Sequence, residues 1–339
     1  MKKKKIYPIG GIAILALIIG TLAFYLFAPV NRTSETAYLY IDNDDNLDSI
    51  ADKLSGVCHD YGVAGVTTLA RHTGYDEHIR TGRYAIDTTI GAFKLFRHLR
   101  NGQQVPVRLT IPSVRTVADL SRELSEKMML SEEDLYDFLT DNDSCQTLGK
   151  DTATIVCLFV PNTYELYWNM PMQKFLQRMK KESEAFWNAD RKQKADALEL
   201  TTDEVMTLAS IVDEETANNG EKPMVAGMYY NRLRKPMPLQ ADPTIKFALK
   251  KFELRRIYNN MLHVKSPYNT YVNEGLPPGP IRIPSVAGID AVLNLTHHNY
   301  LYMCAKEDFS GTHNFAVTYQ EHLRNAAKYS KALNERGVR

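Results

Sequence analysis

The first thirty residues constrain the fold most strongly, because residues 6–30 contain no charged side chain while Lys2–Lys5 precede them. An uncharged apolar run of this length can cross a bilayer as one helix. Only Arg32 follows the run closely, and an excess of lysines favours the cytoplasmic side. The sequence therefore predicts a cytoplasmic tail at residues 1–5 and a single transmembrane anchor at residues 6–30.

A cleaved signal peptide is the alternative interpretation of this segment. Thr21-Leu22-Ala23 resembles a weak cleavage site, but the apolar run continues through Phe24-Tyr25-Leu26-Phe27. An uncleaved anchor fits that continuation better.

Composition excludes several classes of function. The chain has 41 basic and 40 acidic residues, so no charge excess points to nucleic acid. The histidines show no standard metal-ligand spacing, and we expect neither a metal nor a cofactor. Four cysteines lie far apart, which leaves both disulfides and free buried thiols open: Cys58, Cys145, Cys157 and Cys304.

Residues 36–112 have the pattern of a small α+β module. Residues 37–41 and 82–86 are typical of strands, and residues 105–111 alternate apolar with polar side chains as in a half-buried strand. Helical periodicity follows residue 46 and residue 89. No catalytic cluster is visible in the module, so we expect a binding or spacer role.

A helix that begins after Thr201 carries three consecutive carboxylates at its end. Thr201 and Glu204 form a capping-box pattern. At about 100° per residue, one apolar face is expected, formed by Val205, Leu208, Ala209 and Val212. Glu215 then falls at the margin of this face, and Asp213 and Glu214 point elsewhere.

Glu215 is therefore the carboxyl best placed for chemistry. Burial raises a carboxyl pKa, and an acid still protonated near neutral pH can donate a proton to a substrate. The alternative is a solvated residue at a helix edge.

Polar and aromatic residues are dense downstream of Glu215. Asn231-Arg232-Leu233 ends a helix that Pro223 begins, and Asp242 precedes Pro243 at another predicted helix start. Asp242 is there either a cap or a site residue. Aromatics beside amides at residues 266–271 suit a carbohydrate, although a peptide groove would use the same residues.

Five blocks occur in this order along the chain: Leu208–Thr216, Asn231–Leu233, Leu239–Thr244, Tyr268–Tyr271 and Gly275–Ile281. Together they resemble the YceG-like family of membrane-anchored endolytic murein transglycosylases. Two further segments, Phe159–Tyr164 and Gly311–Phe315, resemble other blocks of the same family. The sequence departs from the family's usual pattern at Asn162, Ala241 and Ser285.

The resemblance implies an α+β protein with one transmembrane helix, a LysM-like module at residues 36–112 and a larger mixed α/β catalytic domain at residues 113–339. It implies a location in the bacterial plasma (inner) membrane, with the catalytic domain on the periplasmic side. Glu215 matches the family's catalytic glutamate. Seven further residues are implied to line or support the glycan groove: Asn231, Gln240, Asp242, Tyr268, Asn269, Tyr271 and His313.

The implied reaction cleaves the bond between N-acetylmuramic acid and N-acetylglucosamine in nascent peptidoglycan and leaves 1,6-anhydro ends. Such an enzyme would act in cell wall biogenesis by terminating glycan chains, with cell-wall synthases as candidate partners. The alternatives are a non-catalytic peptidoglycan-binding scaffold of the envelope, an ordinary hydrolytic muramidase and a metal-dependent hydrolase.

Overall fold

Helices and short strands share the chain in the computed structural model, which describes residues 7–254 and 256–336. The predicted α+β class is confirmed. The predicted cytoplasmic tail at residues 1–5 lies outside the described residues. The described chain divides into two compact units. The first comprises residues 7–109, 127–129 and 164–171, and the second comprises the remaining described residues.

Helix α1 (Tyr7–Phe27) occupies most of the apolar run, and the side chains of residues 11–25 are exposed. Among the described residues, no helix combines the length and apolar character of a membrane span. The anchor predicted over residues 6–30, which begins outside the described residues, is not supported by this finding.

The first unit is built on an antiparallel pair of strands, in which Ala37 lies opposite Ile86 and Ile41 opposite Gly82. Its core is a continuous cluster of aliphatic and aromatic side chains. The predicted strands at residues 37–41 and 82–86 are confirmed, whereas the helix at Asp60–His72 had no counterpart in the sequence analysis. The elements after α1 are β1 (Ala37–Ile41), α2 (Leu47–Ser55), α3 (Asp60–His72), β2 (Gly82–Ile86) and α4 (Ala92–Asn101).

Strands β3 (Val107–Thr110) and β4 (Thr163–Leu166) pair with each other. The second unit is mainly helical and holds one further antiparallel strand pair, β5 with β6. Its elements are α5 (Val117–Ser125), α6 (Glu132–Thr140), α7 (Asn142–Thr147), α8 (Met172–Phe186), α9 (Ala189–Ala197), α10 (Thr202–Glu215), α11 (Lys222–Arg234), α12 (Asp242–Leu249), α13 (Val286–Leu293), β5 (Tyr302–Ala305), β6 (His313–Ala316) and α14 (Tyr319–Glu335).

Helix α10 lies in the core of the second unit. The capping box predicted for Thr201 and Glu204 is confirmed. All eight residues from Val205 to Val212 are buried, so the prediction of a single apolar face was wrong. Helices α9, α11, α12 and α13 all contact α10, and a helix surrounded in this way buries every face. The first turn of α10 and its last three residues, the three carboxylates, lie outside this fully buried stretch.

Candidate active site

The structure gives each of the three carboxylates at the end of α10 a different environment. Asp213 lies 2.7 Å from Lys222 Nζ, and both side chains are almost fully buried, at 4% and 7% exposure. Its carboxylate also accepts hydrogen bonds from the amide and hydroxyl of Ser285. This cluster joins α10 to α11 and to the start of α13. The helical periodicity predicts Asp213 away from the apolar centre, and this prediction is wrong. The Asp213 side chain is buried, because Lys222 compensates its charge.

Glu214 is bound by two arginines. Arg115 donates two parallel hydrogen bonds to its carboxylate, at 2.8 and 2.9 Å, and Arg282 donates a third at 2.9 Å. Both oxygens of this carboxylate are therefore occupied by charge-assisted hydrogen bonds. Glu214 is therefore unavailable as an acid.

Glu215 accepts a single hydrogen bond, from the hydroxyl of Tyr229 at 2.7 Å. The other carboxyl oxygen, Oε2, has no partner among the described residues. Tyr229 is buried on α11, and the Asp213–Lys222 pair fixes that helix beside α10. The geometry thus holds one oxygen of Glu215 and leaves the other free.

Burial raises the pKa of Glu215 to about 7, and the negative charge of Asp242 adds to this effect. The hydrogen bond from Tyr229 and the positive charges of His313 and Lys246 act in the opposite direction, towards a lower pKa. Glu215 is also the last residue of α10, where the helix dipole disfavours a negative charge. The carboxyl therefore keeps its proton up to about neutral pH.

Glu215 lines an open cleft of about 290 Å³. The cleft is bordered by charged, amide and aromatic side chains together with a few apolar ones. Its lining consists of Glu215, Met228, Tyr229, Arg232, Leu239, Gln240, Asp242, Tyr271, Tyr302, Met303, Tyr319 and His322. Three of the seven predicted groove residues, Gln240, Asp242 and Tyr271, are thus brought together with Glu215.

Asp242 is a cleft residue and does not cap a helix. Helix α12 has Ala241 at its N-cap, and no side chain caps it. The Asp242 carboxylate instead accepts a hydrogen bond of 2.6 Å from the hydroxyl of Tyr271. Of the two readings left open for Asp242, the structure supports placement in the site.

Gln240 adopts a backbone conformation that is unfavourable for its residue type, with φ at +51°. The backbone N–H of Gln240 donates a hydrogen bond of 2.9 Å to the carbonyl of Thr270, which connects Gln240 to the loop that carries Tyr271. Strained residues of this kind cluster at functional sites. The side chain is exposed at the edge of the cleft.

The other four predicted residues lie outside the cleft lining. Asn269 is fully buried, and its amide donates to the carbonyls of Leu262 and Val264, so it shapes the loop before Tyr271. Asn231 donates to the carbonyls of His298 and Tyr300.

Tyr268 packs on Phe247 with ring centroids 4.7 Å apart. His313 Nδ1 lies 2.9 Å from the carboxylate of Glu221. All four residues have supporting contacts, and their roles as groove residues stay predictions.

An aromatic wall that the sequence analysis missed completes the cleft. It consists of Tyr302, Tyr319 and His322, with the Tyr302 and His322 rings stacked 5.5 Å apart. Arg232 lies behind it, with its guanidinium 5.3 Å from the Tyr302 ring centroid. The Nδ1 atom of His322 is buried and has no hydrogen-bond partner among the described residues. Tyr319 and His322 are three residues apart on α14, and that spacing was the only available signal.

Two further expectations concern cysteines and metals. All four cysteines are free thiols, which answers the question that the sequence had left open. Within the described part of the chain, no group of three or more histidine, cysteine, aspartate or glutamate side chains is arranged to hold a metal ion.

Comparison with known proteins identifies the family. The profile of the YceG-like family matches residues 39–328. An endolytic murein transglycosylase of Bacillus subtilis is 38% identical over 137 residues, which are 40% of this chain and 37% of that protein. An endolytic murein transglycosylase of Streptococcus pneumoniae is 36% identical over 134 residues, which are 38% of this chain and 24% of that protein. The matches thus span less than half of either relative.

A solved structure has the same fold. The 2.6 Å crystal structure of a protein described as YceG-like, from Listeria monocytogenes, superimposes with a TM-score of 0.56 at 23% identity. The superposition covers 86% of this chain and 99% of that one. The family profile matches far more than half of the residues of this chain. The chain therefore belongs to the YceG-like family.

Proposed function

We propose that the chain is an endolytic lytic transglycosylase of peptidoglycan, with Glu215 as its single acid–base residue. The observation that carries this proposal is the state of Glu215, a carboxyl with a pKa of about 7 that faces an open cleft with one oxygen free. The two relatives named endolytic murein transglycosylase support the same reaction class.

The reaction begins with proton transfer from Glu215 to the glycosidic oxygen between N-acetylmuramic acid and N-acetylglucosamine. The bond from the muramic anomeric carbon to that oxygen breaks, and the carbonyl oxygen of the neighbouring acetamido group bonds to the carbon. Glu215, now ionised, removes the proton of the muramic 6-hydroxyl, and this oxygen displaces the acetamido oxygen. The product is a 1,6-anhydro ring, Glu215 regains its proton, and no water is consumed.

The rest of the cleft supports this sequence of steps. Burial and the negative charge of Asp242 both raise the pKa of Glu215, which favours the protonated acid before the reaction. The faces of Tyr302, Tyr319 and His322 offer apolar surface for sugar rings, and the exposed side chain of Gln240 offers donors for their oxygens. The cleft is open, which suits entry of a long strand from the side, as endolytic cleavage requires.

An ordinary muramidase is the second candidate, and Asp242 is the observation that favours it. Glu215 and Asp242 both line the cleft. Most glycosidases use two carboxyl groups, of which one protonates the leaving oxygen and the other activates water or forms a covalent intermediate. Cleavage in ¹⁸O-labelled water separates the two reactions. The transglycosylase leaves unlabelled anhydro ends, whereas hydrolysis places one ¹⁸O atom on each new reducing end.

A non-catalytic peptidoglycan-binding scaffold is the alternative from another functional class. It requires no reaction at Glu215. Wild-type protein that binds purified peptidoglycan and releases no fragments would establish it.

We also propose a place of action, on the basis of the sequence from Lys2 to Val30 and the exposed apolar side chains of α1. In this proposal the apolar run anchors the chain in the plasma membrane, with the rest on the periplasmic side. Residues 36–112 serve as a LysM-like module. The tethered enzyme then cleaves nascent strands beside the cell-wall synthases. Release of the protein from its anchor is expected to change glycan chain length in cells, and an unchanged length distribution would contradict the tethering.

A further inference from the structure

A second and larger cavity lies in the same unit as the cleft. Its volume is about 410 Å³, within the range of small-ligand sites. It shares no lining residue with the Glu215 cleft. The mechanism proposed above makes no use of it.

The lining of this second pocket combines small apolar surface with positive charge. Arg115, Lys250 and Arg282 are its cations, and among the described residues that line it there is no acidic side chain. Glu214, which does not line this pocket, forms ion pairs with both Arg115 and Arg282 and neutralises one of their two positive charges. A net positive charge therefore remains beside the apolar walls and the Phe247 and Tyr268 rings.

Lys250 contributes the charge that is free to meet a ligand. Its ammonium lies 3.9 Å from the centroid of the Phe247 ring, and it forms no ion pair with any described carboxylate. Its backbone is left-handed, with φ at +54°, at the C-terminal cap of α12, a position where glycine or asparagine is favoured. A lysine at that position is unfavourable for the fold, which points to a role for its side chain.

The second pocket and the cleft are joined by α12. Asp242 at the first position of this helix lines the cleft, while Phe247 and Lys250 at its other end line the second pocket. An eight-residue helix is about 12 Å long. An extended peptide covers this distance with about four residues.

We propose that the second pocket binds the stem peptide of the strand that is being cleaved, through a peptide carboxylate and small apolar side chains. This inference rests on the proposed function, because the muramic sugar placed at Glu215 is the sugar that carries the peptide. Alanine methyl groups fit against the apolar walls, and a carboxylate meets Lys250 and the exposed donors of Arg115. The pocket thereby positions the strand by its peptide as well as by its sugars.

The test measures binding to the full chain carrying Glu215→Gln, so that cleavage plays no part. The probes are the peptide N-acetyl-Glu-Ala-Ala with a free carboxyl terminus and the same peptide with a terminal amide, titrated by calorimetry. The free acid is expected to bind about two- to fivefold more tightly, the size of one partly exposed ion pair. Lys250→Asn is expected to remove this preference while keeping the fold, because asparagine tolerates a left-handed backbone.

Lys251→Asn is the matched control, since it makes the same change one residue later and outside the pocket lining. It is expected to keep the preference. Equal binding of the two peptides, or a preference that Lys250→Asn leaves intact, would overturn the proposal.

A kinetic comparison gives a second readout. Lys250→Asn is expected to lower the ratio of kcat/KM on peptide-bearing strands to kcat/KM on peptide-free strands by about two- to fivefold. An unchanged ratio contradicts the peptide site even when both substrates are cleaved. Absence of cleavage by the wild type contradicts the proposed function and leaves the calorimetric result to decide on the pocket.

Discussion

The hydroxyl of Tyr229 lies 2.7 Å from one carboxyl oxygen of Glu215 and donates a hydrogen bond to it. This contact fixes the carboxyl at the cleft and stabilises its ionised form, while burial and Asp242 favour the protonated form. The balance keeps the pKa near neutrality, where one group can serve first as acid and then as base.

Activity is expected to fall as pH rises, with a midpoint near the Glu215 pKa of about 7. The first step needs the protonated carboxyl, and the fraction that is protonated declines above this pH. The measurement is kcat/KM on purified strands between pH 5 and pH 9. A rate that stays constant over this range would contradict the role of Glu215 as acid.

Two substitutions are expected to move this midpoint in opposite directions. Tyr229→Phe removes a hydrogen bond that stabilises the ionised carboxylate, so it raises the pKa of Glu215 and shifts the midpoint to higher pH. Asp242→Asn removes a neighbouring negative charge, so it lowers the pKa and shifts the midpoint to lower pH. The same pH series of kcat/KM on both variants measures the two midpoints. Midpoints that shift in the same direction would contradict the claim that Tyr229 and Asp242 act in opposite directions on the pKa of Glu215.

Stability should respond to the same ionisation. In the folded protein the pKa of Glu215 is raised above its ordinary value of 4.5. The protonated carboxyl therefore makes its full contribution to the stability of the folded state below pH 4.5, and this contribution is lost as the pH rises through about 7. Glu215→Gln has no such loss. Its free energy of unfolding is therefore expected to rise relative to wild type between pH 4.5 and pH 8, by about 3 kcal/mol. Urea unfolding at both pH values measures this, and a constant difference would speak against the raised pKa.

The Asp213–Lys222 pair is expected to matter for stability and for the position of α11. Lys222→Met leaves the Asp213 carboxylate buried without its cation, at a cost of about 3–5 kcal/mol. The double variant Asp213→Asn with Lys222→Met removes both charges and is expected to recover part of this loss. Thermal unfolding of the single and double variants measures the coupling. If the stability losses of Asp213→Asn alone and Lys222→Met alone add up to the loss of the double variant, the two side chains do not interact as the structure indicates.

Much of the local structure could be predicted from the sequence. The capping box at Thr201 and the proline at the start of α11 are local signals, and the structure confirms both helices. The single apolar face of α10 was wrong because helices on all sides bury it, and periodicity does not register neighbours distant in sequence. Asp242 before Pro243 suggested a cap, yet Tyr271, far along the chain, binds its carboxylate.

The candidate site could be predicted only where its residues belong to the family blocks. Glu215, Gln240, Asp242 and Tyr271 occur in these blocks, and all four line the cleft. Tyr302, Tyr319 and His322 reach it through the packing of α14 on β5, which no short motif encodes. Tyr229 was missed because its contact with Glu215 depends on how α11 docks against α10.

The central claim is that Glu215 alone supplies the proton in a reaction that consumes no water. Its most direct test is mass spectrometry of purified peptidoglycan digested by the full chain, with Glu215→Gln and Glu214→Gln alongside. Wild type and Glu214→Gln are expected to release internal fragments whose ends are one water lighter than hydrolysis products, and Glu215→Gln to release at least a hundredfold fewer. Reducing ends in the wild-type digest, or anhydro ends undiminished in Glu215→Gln, would contradict the account.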